Sequence, residues 1–296
     1  MRIALIGNCQ IESMQACLRV LLPDAELAMH HSWNLRERFG NVTRLQETLS
    51  GFDAVLAHRF YDIPQMDFDA LKGLPTIIEF PTINFSSFHP DCVYLVDADS
   101  KKIVRSVVGD YNSALIAYSY ANGLSLENCL SAFRDEIYQH VGYYAAWEKA
   151  VYALDAEFQR CGFAANTYIP KWVSERPFVH SLNHPKLFAV YDLVVAALDR
   201  AKLPYRYVAD IEEFAADPLL KYAGWPVYNE IAQFFGVKGS YYFRGDLIND
   251  GSQYIFSLGE FIEQSYSMYK RAGVRGFSNE LFLAWDEIGL LNLIKS

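Results

Sequence analysis

Gly7-Asn8-Cys9-Gln10 is the stretch of this chain whose residue types and spacing best suit chemistry. Arg2-Ile3-Ala4-Leu5-Ile6 forms an apolar run that ends at Gly7, and Ile11, Met14, Leu18 and Leu22 follow at helical spacing. Cys9 is therefore predicted at the turn from a buried strand into a helix. The first N–H groups of a helix lack intrahelical partners, and the helix dipole is positive there. Both effects favour a thiolate, the reactive form of cysteine. A nucleophile on such a turn also gains an oxyanion hole from nearby backbone N–H groups, with Gly7 permitting the tight backbone and Asn8 and Gln10 adding amide donors. The competing reading makes Cys9 a small buried core residue, the common fate of an unpaired cysteine.

A thiol nucleophile needs a base. His58 follows the run Phe52-Asp53-Ala54-Val55-Leu56-Ala57, and His89 lies in the loop Phe85-Ser86-Ser87-Phe88-His89-Pro90-Asp91, so both are expected at the carboxyl edge of a parallel sheet. Arg59 beside His58 disfavours its protonated imidazole and tilts the choice to His89. His30 and His31 end another strand pattern and are weaker candidates, and His140 falls within a helical run. A further polar cluster, His180-Ser181-Leu182-Asn183-His184-Pro185, places Asn183 as a cap for the helix that follows, with Pro185 in its first turn. His184 is left without a structural explanation, and Asn183 and His184 are expected to border a ligand. Lys101, Lys102 and Arg105 form the densest basic cluster; they suit either the phosphates of a cofactor such as coenzyme A or a solvated surface.

Several chemistries lack their signs. Gly7 is followed by neither a GxGxxG pattern nor a Walker lysine. The five cysteines are odd in number and widely spaced, with no CxxC pair, so neither a disulfide framework nor a zinc ribbon is expected, and no metal. A net charge of −9 disfavours nucleic acid as a partner. No apolar run is long enough for a transmembrane segment. The N-terminal residues read as a strand rather than a signal peptide, and the cysteine usage fits a reducing cytoplasm.

The elements that must position Cys9 read as strands at residues 2–6, 25–30, 52–57 and 76–80, alternating with helical patterns at 10–22, 43–50 and near 66–72. Such alternation implies βαβ units, with the strands ending near Ile6, Ala57 and Phe80 side by side. After about residue 110, helical patterns dominate, at 112–122, 126–138, 141–161, 185–202, 226–236 and 257–272. Pro170, Pro177 and Pro185 mark an irregular stretch, and Arg206-Tyr207-Val208 is a weak strand. The expected fold is α/β: a mainly parallel Rossmann-like sheet domain at residues 1–110, and a mostly helical part at 111–296 packed on it across a soft boundary.

The opening Ile3-Ala4-Leu5-Ile6-Gly7-Asn8-Cys9-Gln10 resembles the WcbI family of polysaccharide-biosynthesis enzymes, to which acetyltransferase activity is ascribed. Further matches are Phe80-Pro81-Thr82-Ile83-Asn84-Phe85 leading to His89-Pro90-Asp91, Phe178-Val179-His180-Ser181-Leu182-Asn183-His184-Pro185, and Ser257-Leu258-Gly259-Glu260-Phe261 ahead of Ser265-Tyr266-Ser267-Met268-Tyr269. The resemblance spans nearly the whole chain. It implies capsular or exopolysaccharide assembly, coenzyme A binding, and a Cys–His pair in an α/β fold reminiscent of caspase-like peptidases. Cys9 falls on the family cysteine, His89 takes the partner position, and His58 stands where a glutamine is often found. The function this implies is acyl transfer, in particular acetyl transfer, from acyl-coenzyme A to a sugar hydroxyl of a glycan acceptor. Cys9 either forms a thioester or only lines the channel. The alternatives are a cysteine-dependent hydrolase, esterase or peptidase-like, and a non-catalytic ligand-binding protein of a glycan-assembly complex.

Overall fold

The structure is a computed structural model that describes residues 1–60, 68–74, 77–247 and 251–296. The chain divides into two compact units. The first comprises Met1–Asn84, Ala153–Phe178 and His184–Leu219; the second comprises Phe85–Tyr152, Val179–Asn183 and Leu220–Ser296.

The first unit is built on a parallel sheet of β1 (Arg2–Gly7), β2 (Glu26–His31), β3 (Ala54–Ala57) and β4 (Ile77–Glu79), in the order β2-β1-β3-β4. The three strands expected side by side are so arranged. Ile3 to Ile6 and Val55 to Ala57 have no solvent exposure. These strands are covered on both faces, which is why they read as unbroken apolar runs rather than alternating ones. On one face lies α1 (Ile11–Leu21), which buries Ile11, Met14, Cys17, Leu18 and Leu21 and packs on the helix Leu187–Arg200. On the other, Leu35 and Phe39 of α2 (Leu35–Phe39) and Leu45 and Leu49 of α3 (Val42–Leu49) close a core around Ala4, Ile6, Val55 and Ala57. The chain leaves β1 toward β2 on one side and returns to β3 on the other. The crevice between the carboxyl ends of β1 and β3 is thus a topological switch point, where ligands of open α/β sheets bind.

The second unit is mostly helical, with helices Ala114–Ala121, Leu126–Ser131, Asp135–His140, Leu258–Arg271 and Glu280–Glu287 beside an antiparallel pair, Tyr242–Leu247 and Gln253–Ser257. The helix Leu258–Arg271 starts at a capping box in which Ser257 and Glu260 satisfy each other's backbone N–H groups.

Several expected elements differ. The pattern at 126–138 is two short helices, and the one at 141–161 becomes Ala146–Arg160 because Gly142, at φ +78°, adopts the left-handed region and ends the preceding run. The stretch expected to be irregular around Pro170 holds a helix, Ala165–Glu175. It survives the lost backbone donor because Ile169 and Trp172 are buried and Trp172 Nε1 donates to Asp192 at 2.8 Å. Residues 206–208 form no strand; Arg206 N instead donates to Leu21 O at 2.9 Å. Phe68–Leu71 is a 3-10 turn, and residues 66–67 of the helical pattern near 66–72, together with Thr76, lie outside the described residues.

Candidate functional site

At the switch point, the backbone N–H of His58 donates to Ile6 O at 2.9 Å, continuing the ladder one residue past β3. This places the His58 ring over Gly7. A Cβ on Gly7 would lie 2.3 Å from His58 Nδ1 and 2.8 Å from Ile11 Cγ2. Gly7 does not adopt a positive φ. Its glycine is therefore required for space, rather than for the strained turn expected from sequence. We expect Gly7→Ala to destabilise the protein by about 1–3 kcal/mol, since both neighbours are packed and must move. The check is a denaturant midpoint at unchanged slope; a wild-type midpoint would show that His58 moves aside freely.

The turn itself is tightly specified. Asn8 Oδ1 accepts from Gln10 N at 3.0 Å, Asn8 O accepts from Ile11 N at 3.2 Å, and Cys9 O accepts from Glu12 N at 3.1 Å. Cys9 thus sits in the turn just before α1, at the positive end of its dipole. It is half-buried, whereas Cys17, Cys92, Cys129 and Cys161 are buried and none of the five is in a disulfide. Burial pushes the Cys129 and Cys161 thiols up to about 12, and those of Cys17 and Cys92 well above the ordinary thiol value. These four are poor thiolates. Gln10 turns its amide onto one residue: Nε2 donates to Ile83 O at 2.9 Å and Oε1 accepts from Ile83 N at 3.1 Å. Its observed work is to hold the segment after β4 against the Cys9 turn. That segment is also fixed by Phe80 N on Ala57 O at 2.8 Å and Thr82 N on Glu157 Oε1 at 3.0 Å.

His58 is 2% exposed, and neither ring nitrogen has a hydrogen-bond partner among the described residues. Burial holds its imidazole at about 3, so it is neutral throughout the physiological range. Arg59, expected to be the cause, points elsewhere: it binds Glu79 at 2.9 Å and Asp69 at 2.9 Å. At the end of β2, His30 is likewise buried and lowered to about 4, mainly by burial and secondarily by Arg38. His31 Nε2 lies 4.0 Å from Glu12 Oε1. His184 also belongs to this unit and is buried.

In the second unit, His89 is 2% exposed and its Nδ1 lies 3.2 Å from Pro226 O. A carbonyl oxygen only accepts, so Nδ1 carries the proton and Nε2 the lone pair in the neutral ring. Two residues on, sequence reasoning passed over Asp91. This carboxylate is fully buried and accepts from Tyr143 Oη at 2.7 Å, Tyr228 Oη at 2.6 Å and Leu115 N at 2.9 Å. Asn183 does not cap a helix. Its Oδ1 accepts from Tyr111 Oη and its Nδ2 donates to Tyr94 Oη at 3.0 Å. The helix Leu187–Arg200 takes its cap from Asp217, whose Oδ2 accepts from Leu187 N at 3.0 Å. Lys101 and Lys102 are exposed in the turn between the short strands Leu95–Val96 and Ile103–Val104, with Lys101 at φ +58°. Arg105 pairs with Asp110 at 3.0 Å. Among the described residues, no group of three or more His, Cys, Asp or Glu is placed to hold a metal, and no helix is long and apolar enough to cross a membrane.

The family model of the polysaccharide biosynthesis enzyme WcbI matches residues 2–205. The chain belongs to the WcbI family. It is therefore a polysaccharide biosynthesis enzyme, and Gly7-Asn8-Cys9-Gln10 lies inside the matched region. A solved structure similar to this chain is that of WcbI, described as a novel polysaccharide biosynthesis enzyme, in a native form without a disulfide bond between coenzyme A and one of its cysteines. It is 14% identical, covers 98% of this chain and 94% of its own, and superposes with a TM-score of 0.66, so this WcbI-family protein shares its fold. A search of curated proteins finds no match.

Proposed function

We propose that this WcbI-family enzyme transfers an acyl group, in particular acetyl, from acyl-coenzyme A to a sugar hydroxyl of a capsular or exopolysaccharide, through Cys9. The observation that carries the proposal is the contrast among the thiols. Cys9 alone of the five is half-exposed, and it stands in the turn just before α1 at the switch point of a parallel sheet. The description of the WcbI structure, which concerns coenzyme A and a cysteine, supports coenzyme A as the donor here.

In the proposed reaction the Cys9 thiolate attacks the thioester carbonyl. The bond from that carbon to the coenzyme A sulfur breaks, and coenzyme A leaves as a thiolate that takes up a proton. The sugar hydroxyl then attacks the Cys9 thioester, gives its proton to a base, and releases the ester and the Cys9 thiolate. His89 is the candidate for the base: its Nδ1 donates to Pro226 O, while burial lowers the His58 imidazole to about 3 and makes it a weak acceptor. Lys101 and Lys102 are the candidates for the coenzyme A phosphates; the charge of Arg105 is offset by Asp110. Asn183 and His184 remain candidates for the sugar side, with Asn183 held by the two tyrosines.

The test is intact-protein mass spectrometry after incubation with acetyl-coenzyme A. One acetyl group is expected on Cys9, and discharge on adding acceptor sugar. A Cys9→Ala protein that still turns over removes the covalent route. For the base, His89→Gln should lower kcat by about 10²–10⁴ at wild-type Tm, while His58→Gln should change it by less than about tenfold. The reverse pattern assigns the base to His58.

A further inference from the structure

The carboxyl end of β2 carries a second feature, separate from the thiol. His30 and His31 pair in register with Ile6 and Gly7, and beside them a groove of about 380 Å³ is lined by Asn34, Glu37 and Arg38 together with Met29, His30, His31 and Leu35. That volume is within the range of small-molecule sites, roughly 300–1,000 Å³. His30 lines the groove while 4% exposed, and neither of its ring nitrogens has a hydrogen-bond partner among the described residues. Next to the groove, Trp33 is 59% exposed. Its indole lies flat on the His31 ring, with centroids 4.4 Å apart and planes at 16°. One face is thus held by the protein and the other is open.

We infer that this groove is a saccharide subsite, with Trp33 as the platform for one face of a pyranose ring. The lining chemistry selects that ligand class. A pyranose has an apolar C–H face, which an open indole covers, and a rim of hydroxyls, which both donate and accept. Asn34, Glu37 and Arg38 together offer donors and acceptors. A polyanion would meet Glu37, and a wholly apolar ligand would desolvate Asn34, Glu37 and Arg38 beside Met29 and Leu35. The subsite also joins the reactive turn: Glu12, whose N–H donates to Cys9 O, reaches His31 from the first turn of α1. This inference rests on the proposed transfer to a sugar hydroxyl, and it adds where the acceptor ring is held.

The test measures binding apart from turnover. Oligosaccharides from partial acid hydrolysis of the source organism's surface polysaccharide are added to the full chain, and ligand-observed saturation-transfer NMR gives the Kd. Trp33→Ala should weaken binding by about tenfold or more, the loss of ~1.4 kcal/mol, and Trp33→Tyr should restore most of it. Acetylation of Cys9 by acetyl-coenzyme A should be unchanged in both variants, because Trp33 does not touch the donor chemistry. Equal affinity in wild type and Trp33→Ala overturns the subsite, as does a wild-type protein that binds none of the fragments, and in either case acetylation of Cys9 is read independently. If Cys9 is never acetylated but saccharide binding depends on Trp33, the transfer mechanism falls and the subsite stands.

Discussion

Replacing Cys9 with alanine is expected to abolish acyl transfer, with kcat falling by at least about 10³-fold, because removal of a covalent nucleophile leaves only binding and polarisation of the carbonyl. The four other cysteines offer no substitute, since burial holds each of their thiols well above the ordinary value. Cys9→Ser should be nearly as inactive, because a hydroxyl in the same turn has no comparable anion near neutral pH. The same contrast predicts that iodoacetamide modifies native Cys9 first and that this single modification eliminates transfer. Peptide mapping at partial inactivation checks it. Loss of activity that tracks alkylation of another cysteine, or turnover in Cys9→Ala within tenfold of wild type, would remove Cys9 from the reaction.

Asp91→Ala is expected to destabilise the protein by about 3–5 kcal/mol, the largest stability effect of any change considered. The substitution leaves the hydroxyls of Tyr143 and Tyr228 and the N–H of Leu115 buried without their acceptor. Each such group costs about 1–3 kcal/mol. Asp91 lies two residues after His89, and its own carbonyl accepts from Ala114 N at 2.9 Å, so loosening it should also loosen the His89 loop. The carboxyl has a pH signature. Burial raises it from 3.8 to about 6, against hydrogen bonds from Ser113, Tyr228, Leu115 and Tyr143 that pull it down. Between these values the folded chain binds a proton that the unfolded chain has released. The stabilisation from this group is therefore full below about pH 4 and is lost as pH rises through about 6, a change of roughly 3 kcal/mol. Asp91→Asn cannot titrate. Its unfolding free energy relative to wild type should shift in favour of the variant by that amount between about pH 4 and about pH 7. A pH-independent difference between the two proteins would mean that Asp91 stays ionised across the range.

Much of the first unit's architecture is legible along the chain. The runs at 3–6 and 54–57 announce strands buried on both faces, because nothing polar interrupts them. The place of Cys9 is legible for the same local reason: a strand ending in glycine and a helix beginning two residues after the cysteine leave the thiol at the turn. The second unit is less legible. Several of its helices run for only six to eight residues, too short for period alone to mark their ends.

The amino-acid sequence by itself determined the parallel sheet, the Gly-Asn-Cys-Gln turn and the kinship with WcbI, because each depends on residues close together in the chain. Tertiary structure alone decided what the neighbouring side chains do. Gly7 makes room for a histidine 51 positions away, Gln10 holds a backbone 73 positions away, and Asn183 meets a tyrosine 72 positions back instead of capping the helix beside it. Burial, not the adjacent Arg59, sets the basicity of His58, and burial also raises that of Asp91 against hydrogen bonds from Tyr143 and Tyr228, both far along the chain. Hydrogen bonds and desolvation act through space at a few ångströms, and the identity of a group's neighbours at that range is a property of the folded chain.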